Sequence, residues 1–258
     1  MRALMIWFSN FAKRLGVRQP SAALVMAVLF SLASGQAATD DFYLHGLPAA
    51  KAGNFPEAVA AFERDLKAGP SSGGFVNLGI VEWQRGHAGA AILAWERAVW
   101  INPYDARANQ NLKFARMVAQ VDAPELRWFE QPSTWLPSNA WVWVAGAGFW
   151  LAVGMLVLPR VLRWRKSGWH QPLAALGFCI LIFGLTANVG VVSRTDIGFV
   201  VKNNASLRLT PTSGSEFIST LPAGEPFRRV KTRGNYYFIR TTMAAGWIER
   251  SQAGLINE

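Results

Sequence analysis

Two long runs of apolar residues without a charge dominate the hydrophobic pattern of this chain. They cover residues 139–159 and 172–193. An α-helix needs about 20 residues to cross the roughly 30 Å hydrocarbon core of a bilayer. The pattern therefore predicts two transmembrane helices. The competing interpretation, two buried core helices of a soluble protein, is disfavoured because soluble folds seldom contain uncharged runs of this length.

The connection between the two runs, residues 160–171, is strongly basic and contains no acid. Loops of this charge stay in the cytoplasm by the positive-inside rule, so both flanking parts of the chain are expected outside the cytoplasm. The residues predicted to determine the topology are Arg160, Arg163, Arg165 and Lys166.

Residues 1–37 have the features of a signal peptide. Basic residues precede an apolar run over residues 22–32 that is too short to span a bilayer, and small residues follow. Cleavage after Ala37 fits these small residues, and an uncleaved membrane anchor is the alternative. Both interpretations leave residue 40 outside the cytoplasm, in agreement with the basic loop. The predicted location is the bacterial inner membrane, with the N- and C-terminal domains in the periplasm.

Residues 38–121 contain a repeat with an offset of 33 residues. The apolar residues between the recurring positions follow a helical period, so each unit is predicted to be a pair of antiparallel helices with a turn at its second glycine. Small residues are expected where paired helices approach closely, with Phe62 and Trp95 filling the gap beside them. The recurring positions are Gly46, Gly53, Phe55, Ala58, Phe62, Leu66 and Pro70, followed by Gly79, Gly86, Ala88, Ala91, Trp95, Val99 and Pro103.

The stretches GNFPEAVAAFERDLKAGP and NLGIVEWQRGHAGAAILAWERAVWINP resemble the tetratricopeptide repeat over nearly its full unit. The segment DARANQNLKFARMVAQ resembles a third first helix without a partner, which is expected to cap the stack with a polar outer face. The resemblance implies a concave surface that binds a peptide or a protein helix. Trp83 is equally well explained as a core residue. The residues implied for this partner groove are Asn77, Ile80, Trp83, Asn109 and Lys113.

Residues 122–138 contain three prolines and are predicted to be a linker that leads to the bilayer. Tryptophans cluster in and just after this linker, at the expected outer end of the first apolar run. Indole rings favour the headgroup region, so an interfacial aromatic belt explains them better than a ligand-binding aromatic box. The predicted belt residues are Trp128, Trp135, Trp141 and Trp143.

After residue 193 the pattern changes to short strands separated by turn residues, which is typical of a small barrel. The sequence SLRLTPTSGSEFISTLPAGEPFRRVKTRGNYYFIRTTMAAGWIERSQ resembles the bacterial SH3-like (SH3b) domain, to which residues 194–258 are assigned. The resemblance implies a turn at Gly224 and a barrel filled by Trp247. Five basic residues of this region are expected either to bind an anionic ligand or to form a solvated strand face. They are Arg228, Arg229, Lys231, Arg233 and Arg240.

The net charge of +10 does not indicate a nucleic-acid partner once it is divided along the chain. Residues 1–37 and residues 160–171 each carry +4, and targeting and orientation explain both. The single cysteine, Cys179, lies in the second apolar run, so an intrachain disulfide is excluded.

No sequence pattern typical of a metal site, a P-loop or a catalytic nucleophile is present. Asp41 and His45 are spaced to share one helix face, but a solvated helix pair explains them better than acid–base chemistry. We therefore expect a protein that is not an enzyme and that binds no metal or cofactor.

The predicted fold class is a multi-domain membrane protein with all-α tetratricopeptide-like helical repeats, a two-helix transmembrane hairpin and a C-terminal all-β SH3-like barrel. This order resembles the membrane proteins encoded in Bacteroides aerotolerance (Bat) operons. The resemblance implies a non-enzymatic protein–protein interaction scaffold in an envelope assembly or stress-tolerance system. Its implied partners are von Willebrand factor A-domain (VWA) membrane proteins, in a system that includes a MoxR-type ATPase. The alternative is a cell-envelope receptor that binds peptidoglycan through the SH3-like domain.

Overall fold

The computed structural model describes residues 40–161 and 168–257. The predicted signal peptide lies outside these residues, as do Arg163, Arg165 and Lys166 of the basic loop, and of Arg160 only the backbone is described. Along the described chain, five helices are followed by an apolar helix pair and a C-terminal β-sheet. The predicted order, a helical region before a β region, is confirmed.

The first five helices form two antiparallel pairs and a single last helix. Gly53 and Gly86 occupy the turns within the pairs with φ of 76° and 80°, a left-handed conformation that glycine adopts without strain. The side chains of Ser71 and Asp105 accept hydrogen bonds from free backbone N–H groups at the starts of the third and fifth helices. The helices are α1 (Asp40–Lys51), α2 (Phe55–Ala68), α3 (Ser72–Gln84), α4 (Ala88–Ile101) and α5 (Ala106–Ala119).

Glycines let the paired helices approach closely. A Cβ atom on Gly46 would lie 2.6 Å from the ring of Phe62, and one on Gly79 would lie 2.4 Å from Nε1 of Trp95. A larger residue at either glycine would have to displace these rings. The Trp95 indole N–H also donates to the backbone oxygen of Val76 at 3.2 Å. The predicted close approach is confirmed at both glycines.

Seven antiparallel strands form the C-terminal sheet: β1 (Ile197–Val200), β2 (Ala205–Arg208), β3 (Phe217–Leu221), β4 (Pro226–Arg233), β5 (Tyr236–Arg240), β6 (Ala245–Glu249) and β7 (Ala253–Leu255). Their order across the sheet is β3-β2-β6-β5-β4-β1-β7, and β7 was not predicted. Gly224 occupies the expected turn with φ of 86°. The prediction that Trp247 fills the interior is wrong. Trp247 is half-buried against Phe238, and Ile248 is buried instead because side chains alternate along a strand.

The helical region and the sheet share a hydrophobic core. Phe199 of β1 is buried in the hydrophobic core of the helices, where β1 contacts α4, whereas Val200 is buried inside the sheet. A Cβ atom on Gly89 would lie 2.4 Å from the backbone oxygen of Val200. The Arg97 guanidinium donates to the backbone oxygen of Leu255 at 2.8 and 3.2 Å. The five helices and the sheet therefore form one body, here named the packed unit.

Two long apolar helices, α6 (Ala140–Val161) and α7 (His170–Arg194), pack side by side as the apolar hairpin. A Cβ atom on Gly148 would lie only 2.5 Å from the backbone nitrogen of Leu181, so glycine brings the two backbones together. Both helices are long and apolar enough to cross a membrane, with mean hydropathies of 1.9 and 2.2. Their bounds differ from those of the predicted runs by less than one helical turn.

Candidate functional site

An apolar surface extends across α3 and α5. Trp83 lies between the rings of Trp95 and Phe114, whose centroids are 5.9 and 5.7 Å away. Trp83 is half-buried and contributes to both the core and the surface, whereas Phe114 is 51% exposed and Met117 is 71% exposed. The predicted polar outer face of this last helix is therefore only partly correct, because exposed polar residues such as Asn109 and Lys113 are accompanied by these large apolar ones. We name the surface the α3–α5 patch, and its residues are Ile80, Trp83, Phe114, Met117 and Val118.

The structure places Phe114 of α5 against Trp83 of α3, at the position where the resemblance implied Lys113 in the partner groove. The two helices begin after the N-cap residues Ser71 and Asp105, whose numbers differ by 34 and not by the repeat offset of 33. One residue turns an α-helix by about 100°. As a result, Phe114 packs against Trp83, and the predicted groove residue Lys113 lies exposed beside it.

Asn109, the other predicted groove residue on α5, is turned away from the α3–α5 patch. It lies five positions before Phe114, which is a rotation of about 140° around the helix axis. Its side-chain amide donates to the backbone oxygens of Pro103 and Asp105, both at 2.9 Å. Asn109 therefore helps to hold the start of its own helix.

The surroundings of the α3–α5 patch are polar and weakly basic. Lys113 makes no ion pair with a described residue, and Arg85 pairs with Glu82 at 3.0 Å. Asn77 is half-buried one turn from Ile80, and its amide nitrogen has no hydrogen-bond partner among the described residues. Large apolar side chains with hydrogen-bonding groups at their edge have the composition of a protein–protein interface.

The five basic residues predicted to share one face of the sheet have different environments. Arg228 pairs with Glu130 through two hydrogen bonds of 2.9 Å, and Arg229 pairs with Asp196 at 2.7 Å. The other three are exposed and make no ion pair within the described part of the chain. These three are Lys231, Arg233 and Arg240. Only part of the predicted basic face is free for an anionic ligand.

A buried carboxylate lies where the apolar hairpin meets the packed unit. Glu130 is fully buried and accepts hydrogen bonds from Arg228, from the Ser193 hydroxyl and from the backbone N–H of Arg127. Burial raises the pKa of this carboxyl, but the hydrogen bonds from Arg228 and Ser193 outweigh burial, so the pKa is lowered. Glu130 is therefore held in its charged form.

The last residue of α7 brings a second cation to the same place. The Arg194 guanidinium lies 4.8 Å from the centre of the Trp100 ring and donates to the Ser133 hydroxyl at 3.2 Å. Beside it, the buried Glu96 of α4 pairs with Arg116 of α5. Burial raises the pKa of Glu96, and the attraction of Arg116 offsets only part of this effect. We name this cluster the ionic junction, which comprises Glu96, Arg116, Glu130, Ser133, Ser193, Arg194 and Arg228.

A cleft of about 390 Å³ lies between residues 122–127 and strands β4 and β5. Arg228 and Arg240 line it, together with Asp122 and Glu225. Burial raises the pKa of the Glu225 carboxyl, and the negative charge of Asp122 raises it further. The cleft therefore presents charges of both signs to a bound molecule.

Of the four tryptophans predicted to form an aromatic belt, one is buried and three are exposed. Trp141 is only 2% exposed, and its indole N–H donates to the backbone oxygen of Ser133 at 3.3 Å. Assigning Trp141 to the belt is therefore wrong, because its ring fixes the start of α6 to the 3-10 turn Gln131–Thr134. The other predicted belt residues, Trp128, Trp135 and Trp143, are exposed.

Within residues 40–161 and 168–257, no three His, Cys, Asp or Glu side chains are grouped to hold a metal ion. Cys179 is a free, exposed thiol on α7. No protein-family model matches the chain, and no match was found among curated proteins or solved structures.

Proposed function

We propose that this protein is a non-enzymatic, membrane-anchored scaffold that binds another protein on the α3–α5 patch. In this proposal the helix pairs are tetratricopeptide repeats and the sheet is an SH3-like domain. The apolar hairpin spans a bacterial inner membrane and holds the packed unit on its periplasmic side. The observation that carries the proposal is the exposed apolar surface around Phe114 and Met117. Neighbouring large apolar side chains exposed in this way mark surfaces that a partner covers.

Covering the α3–α5 patch would contribute substantially to binding. Phe114, Met117 and Val118 are each at least half exposed. Fully burying one such side chain contributes roughly 1.5–3 kcal/mol, so covering the exposed halves of all three contributes about 3 kcal/mol. This free energy corresponds to more than about a hundredfold in affinity.

The packed unit suits a scaffold because it holds the α3–α5 patch in a fixed position relative to the apolar hairpin. Helix α4 contacts both β1 and the ionic junction. A partner bound to the patch is thereby confined close to the membrane. Confinement raises its effective concentration for other proteins in the same membrane.

A VWA-domain membrane protein is the proposed partner, on the strength of the resemblance to the Bat operon proteins. The proposed process is an envelope assembly or a stress-tolerance response such as aerotolerance. A membrane protein suits the patch by distance, since Pro70, just before α3, and Asn139, just before α6, line the same small cleft. Trp83 lies within about 20 Å of this end of α3.

A photo-crosslinking amino acid in place of Met117, in the full chain in bacterial membranes, tests the proposal. Met117 is exposed, so the replacement leaves the core intact. We expect one discrete crosslinked protein, and Phe114→Asp added to the same chain should abolish the product. The matched control carries the crosslinker at Glu63, an exposed residue on α2. Equal crosslinking at both positions, or a product that survives Phe114→Asp, would refute the proposal.

A cell-envelope receptor is the second candidate, and the cleft beside residues 122–127 favours it. Charges of both signs suit a short peptide with a free ammonium and a free carboxylate, such as the stem peptide of peptidoglycan. Co-sedimentation of the full chain in detergent with purified peptidoglycan is the test. Arg240→Glu should lower the bound fraction, and Glu63→Ala should not. A chain that stays entirely in the supernatant excludes this candidate.

A further inference from the structure

Aromatic side chains are exposed at the end of the packed unit that meets the apolar hairpin. Trp128 is 81% exposed, Tyr104 is 69% exposed, and Trp135 is more than half exposed. The Tyr104 hydroxyl donates to the backbone oxygen of Trp135, so the α4–α5 turn and residues 128–135 lie together. Large amphipathic rings are most favourable at the boundary between lipid headgroups and acyl chains.

Residues 129–135 lie alongside the last turns of α7. The rings of Trp135 and Phe183 are 6.1 Å apart. Further along α7, a Cβ atom on Gly190 would lie only 2.7 Å from the backbone oxygen of Phe129. Because a helix rises about 1.5 Å per residue, the segment follows α7 over roughly 10 Å.

The register of the apolar hairpin gives the depth of these contacts in a bilayer. The paired part of α6 and α7 is centred close to Cys179. Along the helix axis, Phe183 lies about 6 Å and Gly190 about 17 Å from Cys179. The hydrocarbon core extends about 15 Å from its centre. The ring of Trp135, beside Phe183, therefore reaches about 9 Å inside the hydrocarbon edge, among the acyl chains, and the chain beside Gly190 lies at that edge.

Many polar groups of this segment are hydrogen-bonded or ion-paired within the protein at this depth. The backbone N–H groups of Ser133, Trp135 and Ala140 each donate to the backbone oxygen three positions earlier. The charge of Glu130 is balanced by Arg228. Polar groups that are hydrogen-bonded within the chain enter a membrane interface at a lower desolvation cost than free ones.

We propose that residues 128–137, together with Tyr104, form an interfacial segment that binds phospholipids, with Phe129 and Glu130 at the boundary of headgroups and acyl chains and the Trp135 ring among the acyl chains. The proposal rests on the proposed transmembrane course of the apolar hairpin. The occupant is the bilayer around that hairpin, because the segment runs directly into α6 and packs along α7. This contact sets the height and tilt of the packed unit above the membrane.

Spin labels on single cysteines of the full chain, in phosphatidylcholine vesicles, test the proposal. Collisions with oxygen and with a water-soluble nickel chelate report the depth of each label. Native Cys179 marks the bilayer centre. In a Cys179→Ala background, Trp128→Cys probes the interfacial segment, and Gln84→Cys is the control in water. Gln84 is exposed at the end of α3 farthest from the hairpin, about 18 Å from its start.

We expect nickel accessibility to fall several-fold from Gln84→Cys to Trp128→Cys and again to Cys179. A label at the exposed Gln131, which keeps every aromatic ring in place, should give the same headgroup depth as Trp128→Cys. Equal nickel accessibility at Gln84→Cys and at both segment positions overturns the interfacial segment. High nickel accessibility at Cys179 overturns the transmembrane course instead, so the two failures are distinguishable.

Discussion

Replacing Glu130 with alanine is predicted to detach residues 122–134 from the packed unit. The change removes a carboxylate that accepts hydrogen bonds from Arg228, from Ser193 and from the backbone N–H of Arg127. Breaking a buried ion pair from one side costs roughly 3–5 kcal/mol, because the remaining charge has no partner. The Arg228 side chain keeps 21% of its surface in contact with water. The expected loss is therefore smaller, about 2–3 kcal/mol.

Hydrogen–deuterium exchange of the full chain in detergent measures this decrease in the free energy of opening of residues 122–134. Opening of residues 122–134 exposes amides that donate to backbone oxygens in the native chain, among them those of Gln131 and Ser133. A free-energy change of 1.4 kcal/mol is a tenfold change in an equilibrium constant, so exchange should accelerate by about 30- to 150-fold. Exchange in α2 should stay unchanged.

A double-mutant cycle separates the ion pair from other effects of the substitution. Arg228→Met alone leaves Glu130 buried without its cation and should also accelerate exchange. The free energy of opening should fall less in the double variant than the sum of the decreases in the two single variants, because the interaction can be broken only once. Strictly additive losses, or a Glu130→Ala chain with native exchange rates, would show that this pair does not hold the segment. Glu63→Ala is the control for a change at an exposed acid.

Three further predictions concern glycine packing and pH. Gly79→Ala should lower the free energy of unfolding by about 1–3 kcal/mol by overpacking against Trp95. Gly73→Ala, where an added Cβ meets no atom, should be neutral or stabilising by up to about 1 kcal/mol in the same denaturant titration. Gly89→Leu should push β1 away from α4 and make the sheet sensitive to limited proteolysis; an unchanged digest would contradict the shared core. The folded-state pKa of Glu130 is lowered, so its stabilising effect is complete above the ordinary glutamate pKa of about 4.3 and is lost as pH falls through the folded pKa. Acid titrations monitored by circular dichroism should show this loss of stability. In Glu130→Gln, the stability should depend less on pH over the same range.

Short-range patterns made the separate elements predictable from the sequence. In the repeats, glycines and prolines mark the ends of segments whose apolar residues follow a helical period. The apolar helices are identified by their length and by the absence of charged residues. The contacts that join the regions have no such pattern. Arg97 and Leu255, for example, are 158 positions apart, and their hydrogen bond involves a backbone oxygen that every residue type offers.

One local signal of the shared core was present in β1. All positions of Ile197–Val200 are buried, whereas a strand with one face in water alternates between apolar and polar residues. Phe199 packs among the helices and Val200 inside the sheet, so the two faces of β1 belong to different cores. An uninterrupted apolar strand in a small predicted barrel therefore indicates a second layer, which here is α4.

The α5 half of the α3–α5 patch was missed for a different reason. The groove residues of the third unit were taken from the geometry of the repeat family, and the helix of this unit begins 34 and not 33 residues after α3. Capping chemistry identifies the shift, because Ser71 and Asp105 are both N-cap residues and fix where each helix begins. Counting from these caps aligns Phe114 with Ile80 and Met117 with Trp83. Register within a repeat is therefore better set by helix starts than by the spacing of glycines.

The ionic junction links these separate surfaces mechanically. Charge counting treated Arg228 as a free cation because its partner Glu130 lies 98 positions away. Paired in this way, Arg228 connects β4 to the end of α7, where it also donates to the backbone oxygen of Ser193. Helix α4 reaches the same end through Trp100 and Arg194. A rotation of the last turn of α7 would therefore disturb its contacts with both α4 and β4.

Under the proposed transmembrane course of the apolar hairpin, we expect the ionic junction to help hold the α3–α5 patch at a constant height above the bilayer. In the Glu130→Ala chain, the contact from Arg228 through Glu130 to the Ser193 hydroxyl is lost, whereas the hydrogen bond from Arg228 to the Ser193 backbone oxygen and the patch itself remain. A spin label at Gln84→Cys should then show a broader range of distances to a label at the bilayer centre, while the mean depth of that central label stays the same. A distance distribution as narrow as in the unmodified junction would mean that the remaining contacts to α7 fix the packed unit without Glu130.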